Sequence, residues 1–158
     1  MHGRRGGTVI TALALTGALG LAGTAGAAEP EKPLSKKAFI KAADNICKQG
    51  DTLVALAAVD AFGGLGPNQK PSADQLKSFV DNGGSAFQQE IDSLRALPAP
   101  SADVKKLKKL FKLVQKGFNK LLADPSLLVN GPKPKELTDA SKQAKAYGFK
   151  VCGGGKIA

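Results

Sequence analysis

Apolar residues recur along this chain at steps of three and four, and no stretch shows the period-two alternation of a half-buried strand. Ser35 is placed to cap a first helix, and Leu34, five residues before Phe39, has the spacing of a hydrophobic staple. Phe39, Ala43, Ile46, Gly50, Leu53 and Ala57 then form one face of a helix over residues 35–61. The run GGLGPNQKP from Gly63 to Pro71 is a loop. Ser72 and Gln75 have the spacing of a capping box and open a second helix over 72–97, with Leu76, Val80, Gly83, Phe87, Ile91 and Leu94 inward. Pro98 and Pro100 end it.

A third helix is expected over 101–123, capped by Ser101, with Asp103 in the first turn where the helix dipole favours an acid. Val104, Leu107, Phe111, Val114, Phe118 and Leu121 keep the same spacing. Pro125, Gly131, Pro132 and Pro134 exclude a continuous helix from 123 to 134, and Leu127, Leu128 and Val129 are expected to tuck against the core there. A shorter fourth helix over 135–147 puts Leu137, Ala140, Ala144 and Tyr147 inward. Gly148 suits a left-handed cap, and Phe149 supplies its apolar contact. The pattern as a whole predicts an all-α fold, an antiparallel four-helix bundle with one irregular crossover.

The first thirty residues do not belong to that pattern. Arg4 and Arg5 precede an apolar run from Thr8 to about Ala22, and small residues follow with an A-x-A motif at Ala25 and Ala27. This predicts a cleaved signal peptide over 1–28, a short linker over 29–34 and a single domain over 35–158. Glycines flank the two arginines and no aromatic follows, which favours general secretion over the twin-arginine route. No cysteine stands at the cleavage site to take a lipid anchor, and no later run approaches the ~18–20 apolar residues of a membrane span. The mature protein is expected to be exported, to the cell-wall space or the medium.

Cleavage would remove His2 and Met1, the only histidine and methionine, and the chain has no Trp. A chain without histidine has no Ser-His or Cys-His nucleophile pair, no imidazole zinc site and no histidine haem ligand. No P-loop, GxGxxG, HExxH or EF-hand pattern occurs either. The expectation is a non-enzymatic protein with no cofactor, no metal and no catalytic residue; an enzyme built on carboxylates is the third-ranked alternative.

Cys47 stands beside Ile46 at the edge of the first helix's apolar stripe, and Cys152 follows the last helix. In an exported protein the pair is expected to be oxidised, closing a loop of about 105 residues worth roughly 4–5 kcal/mol by the chain-entropy estimate. The competing reading is a reactive thiol or metal pair. The stretches FIKAADNICKQG from Phe39, IDSLRALPAP from Ile91 and AYGFKVCG from Ala146 resemble small secreted helical proteins of actinobacteria with no established function. The resemblance covers most of the chain after residue 28 and implies an extracytoplasmic, disulfide-stapled helical bundle. It supplies no catalytic residue.

The excess of positive charge lies in the second half of the chain. Residues 28–100 carry 8 basic and 9 acidic side chains, whereas residues 101–158 carry 13 and 4. On the third helix Lys105, Lys108, Lys109, Lys112, Lys116 and Lys120 share one arc, nearly opposite the apolar stripe, as a basic strip about 20 Å long. Such a strip is either a solvated face or a dock for anionic lipid headgroups or wall polymers. Specific nucleic-acid reading is disfavoured, because Arg95 is the only arginine after Arg5 and the aromatics occupy core positions.

Gly50, Gly83 and Gly117 complete the candidate sites. Each costs a helix interior about 1 kcal/mol relative to alanine, and they are expected to lie at one height, as a close-packing layer or the waist of a small apolar pocket. Asp44, Asp51, Glu90 and Asp92 read as surface charges flanking the stripes. The functional expectation is a secreted binding or envelope-associated module of unknown ligand, with binding to anionic surfaces through the third helix as the alternative.

Overall fold

The computed structural model describes residues 32–154. The signal-peptide reading of residues 1–28 and the first part of the 29–34 linker lie outside the described residues. The described chain is all-helical, with α1 (Lys36–Phe62), α2 (Ala73–Ala96), α3 (Val104–Ala123) and α4 (Lys135–Tyr147), plus two 3-10 turns, Ser101–Asp103 and Pro125–Leu128. Among the described residues no helix is long and apolar enough to cross a membrane.

The caps explain most of the boundaries. The Ser35 hydroxyl accepts from the Ala38 N–H, and Leu34 packs beside the core cluster that holds Phe39. Ser72 and Gln75 form the reciprocal capping box. Gly148 takes φ 115°, and its N–H and that of Phe149 close back on the Ala144 carbonyl, which turns the chain so that Phe149 enters the core. One cap departs from expectation. The third helix begins at Val104, because the Asp103 N–H bonds to the Pro100 carbonyl and makes Ser101–Asp103 a 3-10 turn with no side-chain cap.

Helices pack in two pairs, α1 with α2 and α3 with α4, and the pairs meet where α2 touches α3. Gln88 and Gln115 exchange hydrogen bonds across that meeting line at 2.8 and 3.3 Å, and Phe87 stacks against Phe118 at 4.8 Å between centroids. No α-carbon of α1 comes within 8 Å of one in α3 or α4 among the described residues. Side chains fill that gap at one end: Phe39, Leu94, Leu107, Phe111, Tyr147 and Phe149 form one buried cluster. The Tyr147 hydroxyl donates to Asp103 at 2.8 Å, and burial followed by this bond holds the phenol well above its ordinary pKa.

The covalent link across the gap is the disulfide between Cys47 of α1 and Cys152 of the tail, with α-carbons 5.2 Å apart. Asp44, one turn before Cys47, accepts the backbone N–H groups of Lys150, Val151 and Cys152 at 2.9 to 3.2 Å. It is therefore a structural clamp on the tail, not a flanking surface charge. A carboxylate turned to three successive N–H donors needs them gathered in a tight turn, a feature of chain path that no spacing in sequence announces.

Two apolar assignments also change. The inward face of α1 passes through Cys47, Gly50 and Val54, so Leu53 is 47% exposed and Leu56 and Val59 stand out beside it. Val129 is exposed as well, because Ser126 and Val129 eclipse at the three-residue period of a 3-10 turn and share its solvent side, while Leu127 and Leu128 are half-buried.

In urea unfolding, replacing both cysteines by serine is expected to remove about 4 kcal/mol of stability. Asp44→Ala in the oxidised protein is expected to cost about 1–3 kcal/mol, since three donors lose a charged acceptor. Stability unchanged in Asp44→Ala would show that the tail is held by the disulfide alone.

Candidate functional site

The two helix pairs do not close on each other along their whole length. Between them they leave a cavity of about 480 Å³. Val54 of α1, Val80 and Phe87 of α2, Val114 and Leu121 of α3, and Leu137 of α4 contribute apolar walls, and the Cys47–Cys152 disulfide lies on one side. Size and lining fall in the range of small-molecule sites, which are mostly apolar with a few polar groups.

The glycines shape this space, but not as one layer. A Cβ on Gly50 would stand 1.9 Å from the Glu90 carboxyl, whereas one on Gly83 would meet the Ala57 Cβ at 3.4 Å. Gly50 and Gly83 thus face positions on the opposite helix seven residues, or about 10 Å, apart. The expected level pairing fails because Phe62, at the end of α1, stacks on Phe79 at 5.1 Å between centroids, so the first turn of α2 overhangs α1. Gly117 belongs to the other pair, where a Cβ would lie 2.5 Å from Leu137 Cγ. Gly83 and Gly117 are close-packing positions; Gly50 makes room for a carboxyl. Gly84, not singled out in the sequence, faces Phe118 and Leu122 of α3.

Glu90 is the polar feature of the cavity. Half-buried, it has its pKa pushed up to about 8, first by burial and then by the nearby Asp51 carboxylate. Asp51 is itself raised by the apolar surroundings, although much of its side chain is exposed. Lys133, Lys142 and Lys145 bring the other charges to the lining, and their side chains are exposed. α3 adds only apolar groups. The sequence carried a signal for this arrangement, a helix-interior glycine and an acid at facing positions, but reading it required the α1–α2 register.

No family model, no curated protein and no solved structure matches this chain.

The lysine strip occupies a different surface. Lys105, Lys108, Lys109, Lys112, Lys116 and Lys120 are all exposed. Lys120 is bound to Glu136 at 2.7 Å, and that bond holds the Glu136 carboxyl below its ordinary pKa. The other five have no ion-pair partner within 4.0 Å among the described residues. Lys108, Lys112 and Lys116 also edge a second groove of about 420 Å³ between α2 and α3, whose floor includes Leu94, Leu107 and Phe111.

Glu90 gives the fold a pH dependence of definite sign. Its ordinary pKa is 4.5 and its folded value about 8, so between them the folded state holds a proton that the unfolded chain has lost. This contribution is fully present below about pH 4.5 and is lost as pH rises through 8. Glu90→Gln is expected to flatten the decline and to raise stability at pH 8–9 by on the order of 1–3 kcal/mol, discounted for water entering the cavity. Urea unfolding at pH 5 and pH 8.5 measures it; an equal decline in both proteins would place the titrating group elsewhere.

Proposed function

We propose that this protein is an exported, non-enzymatic binding protein whose four helices form an antiparallel bundle and whose cavity between the helix pairs holds a small apolar ligand. The single observation that carries the reading is the cavity of about 480 Å³ with apolar walls. Interiors are ordinarily packed with few voids larger than a water molecule. A space of this size forfeits the contacts that its wall side chains would otherwise make, and a ligand restores them. The disulfide suits an oxidising compartment, the N-terminal pattern suits export, and the resemblance to small secreted helical proteins agrees with both.

A second reading, peripheral binding to an anionic surface, has its own observation. Five lysines without ion-pair partners among the described residues share one face of α3, and three of them edge an apolar groove. Lipid headgroups or wall polymers would dock there through charge, and salt would weaken the contact.

Calorimetric titration of the oxidised protein with 1-octanol tests the first reading. Saturable one-to-one binding is expected, weakened about ten-fold or more by Val114→Phe, which places a ring in the cavity, and unchanged by Leu56→Gln on the exposed face of α1. Equal binding in all three proteins would move the ligand off the cavity. Titrated with anionic phospholipid vesicles, the same samples address the second reading: salt-sensitive binding abolished by changing Lys108, Lys109, Lys112 and Lys116 to glutamine would make α3 a docking face.

A further inference from the structure

We infer that the cavity takes an amphiphile with a single primary amine, its apolar body among the side chains of α2 and α3 and its ammonium group between Glu90 and Asp51. The inference rests on the reading of the cavity as a ligand site and specifies that ligand's chemistry.

Two costly features coincide at this end of the cavity. Gly50 is a glycine inside a helix, and the space its missing Cβ leaves is occupied by the Glu90 carboxyl, with Oε2 1.9 Å from where that Cβ would stand. Packing alone would be served better by alanine facing a shorter side chain. Glu90, in turn, is a half-buried carboxyl in a lining that also holds Phe87 and Ile91 of the same helix, with a second acid, Asp51, close enough to oppose its ionisation. A cation placed between the two carboxyls offsets the burial and the repulsion that oppose ionisation of Glu90, and a charge-assisted hydrogen bond to a half-buried carboxylate is stronger than one in water.

The other charged groups of the lining do not compete for that position. Lys133 precedes α4, and Lys142 and Lys145 lie on it; all three extend into solvent. From α3 the cavity receives Leu110, Val114, Phe118 and Leu121 and no charge. The arrangement is an acidic end on the α1–α2 side and an apolar wall from α3, while α4 and the segment before it add Thr138, Ser141 and the three lysines. An alkyl chain with a terminal ammonium matches that polarity, and a carboxylate-headed chain reverses it.

Binding is a proton exchange with a fixed balance. Near neutral pH Glu90 is largely protonated in the empty site. The incoming ammonium keeps its own protons, and Glu90 releases one to the buffer as the ion pair forms. That release opposes binding increasingly as pH falls below about 8.

The test is calorimetry with 1-octylamine, 1-octanol and octanoate on the oxidised wild-type protein, Glu90→Gln and Asp51→Asn, at pH 7 in two buffers of different ionisation enthalpy. The amine is expected to bind about ten-fold or more tightly than the alcohol to wild type, with net proton release, and octanoate most weakly. In Glu90→Gln the advantage of the amine and the proton release should both vanish while octanol binding persists, and Asp51→Asn should reduce the advantage in part. Octanol binding as tight as octylamine, or an amine advantage that survives Glu90→Gln, overturns this inference and leaves the cavity reading standing. Tightest binding by octanoate overturns it in favour of the lysine rim. Failure of all three probes to bind overturns the cavity reading and this inference together.

Discussion

The attachment of the tail to α1 is the constraint on which the rest of the arrangement depends. α1 has no α-carbon within 8 Å of α3 or α4 among the described residues, so its union with the second helix pair is made by side chains and by the tail. Two bonds of different kinds hold it. The Cys47–Cys152 disulfide limits the freedom of the unfolded chain over 105 residues of separation, and the Asp44 carboxylate gathers three backbone N–H groups of the tail in the folded state. Gly148 sets the direction by turning left-handed, which sends Phe149 into the cluster with Phe39 and Tyr147. The tail is thus a structural strut between the helix pairs.

A strut at one end and a side-chain bridge at the α2–α3 line leave the middle unfilled. Gly83 and Gly84 show how the walls are set: one faces α1 and the other α3, so α2 lies close to both. The cavity lies beside α2, and the suppressed ionisation of Glu90 follows from its burial there. A carboxyl placed among apolar side chains and near a second acid is driven toward its neutral form by burial before any charge effect is counted. None of the strip lysines on α3 lines the cavity, so the two candidate sites respond to different charge substitutions, although the groove that three of those lysines edge shares Leu94 and Phe111 with the cavity.

Much of the fold was legible in the sequence because it is local. Caps at Ser35 and Ser72, the proline stop at Pro98 and the glycine turn at Gly148 act within a few residues, and the apolar stripes placed Phe39, Ile91, Leu107 and Phe118 in the core. The disulfide was legible because two cysteines admit one pairing within the chain. What was not legible depends on register between helices or on chain path. The level of Gly50 against Gly83 turned on the overhang fixed by Phe62 and Phe79; the roles of Asp44 and Glu90 turned on what those acids face across the fold. The same residue types on a helix wheel read as surface charge. Leu53 and Val54 illustrate the remaining ambiguity, since both sit at the margins of one stripe and only the neighbouring helix decides which is inward.

The binding reading depends on the apolar cavity that the oxidised protein keeps between its helix pairs. It is tested most directly by methyl-resolved NMR of the oxidised protein under increasing xenon pressure, because xenon is uncharged and enters apolar cavities of adequate size. Saturable shifts are expected at the methyl groups of Val54, Val114 and Leu121, with those of Leu53, Leu56 and Val59 on the exposed face of α1 little changed. Unshifted cavity methyls, or shifts confined to the exposed face, would contradict it.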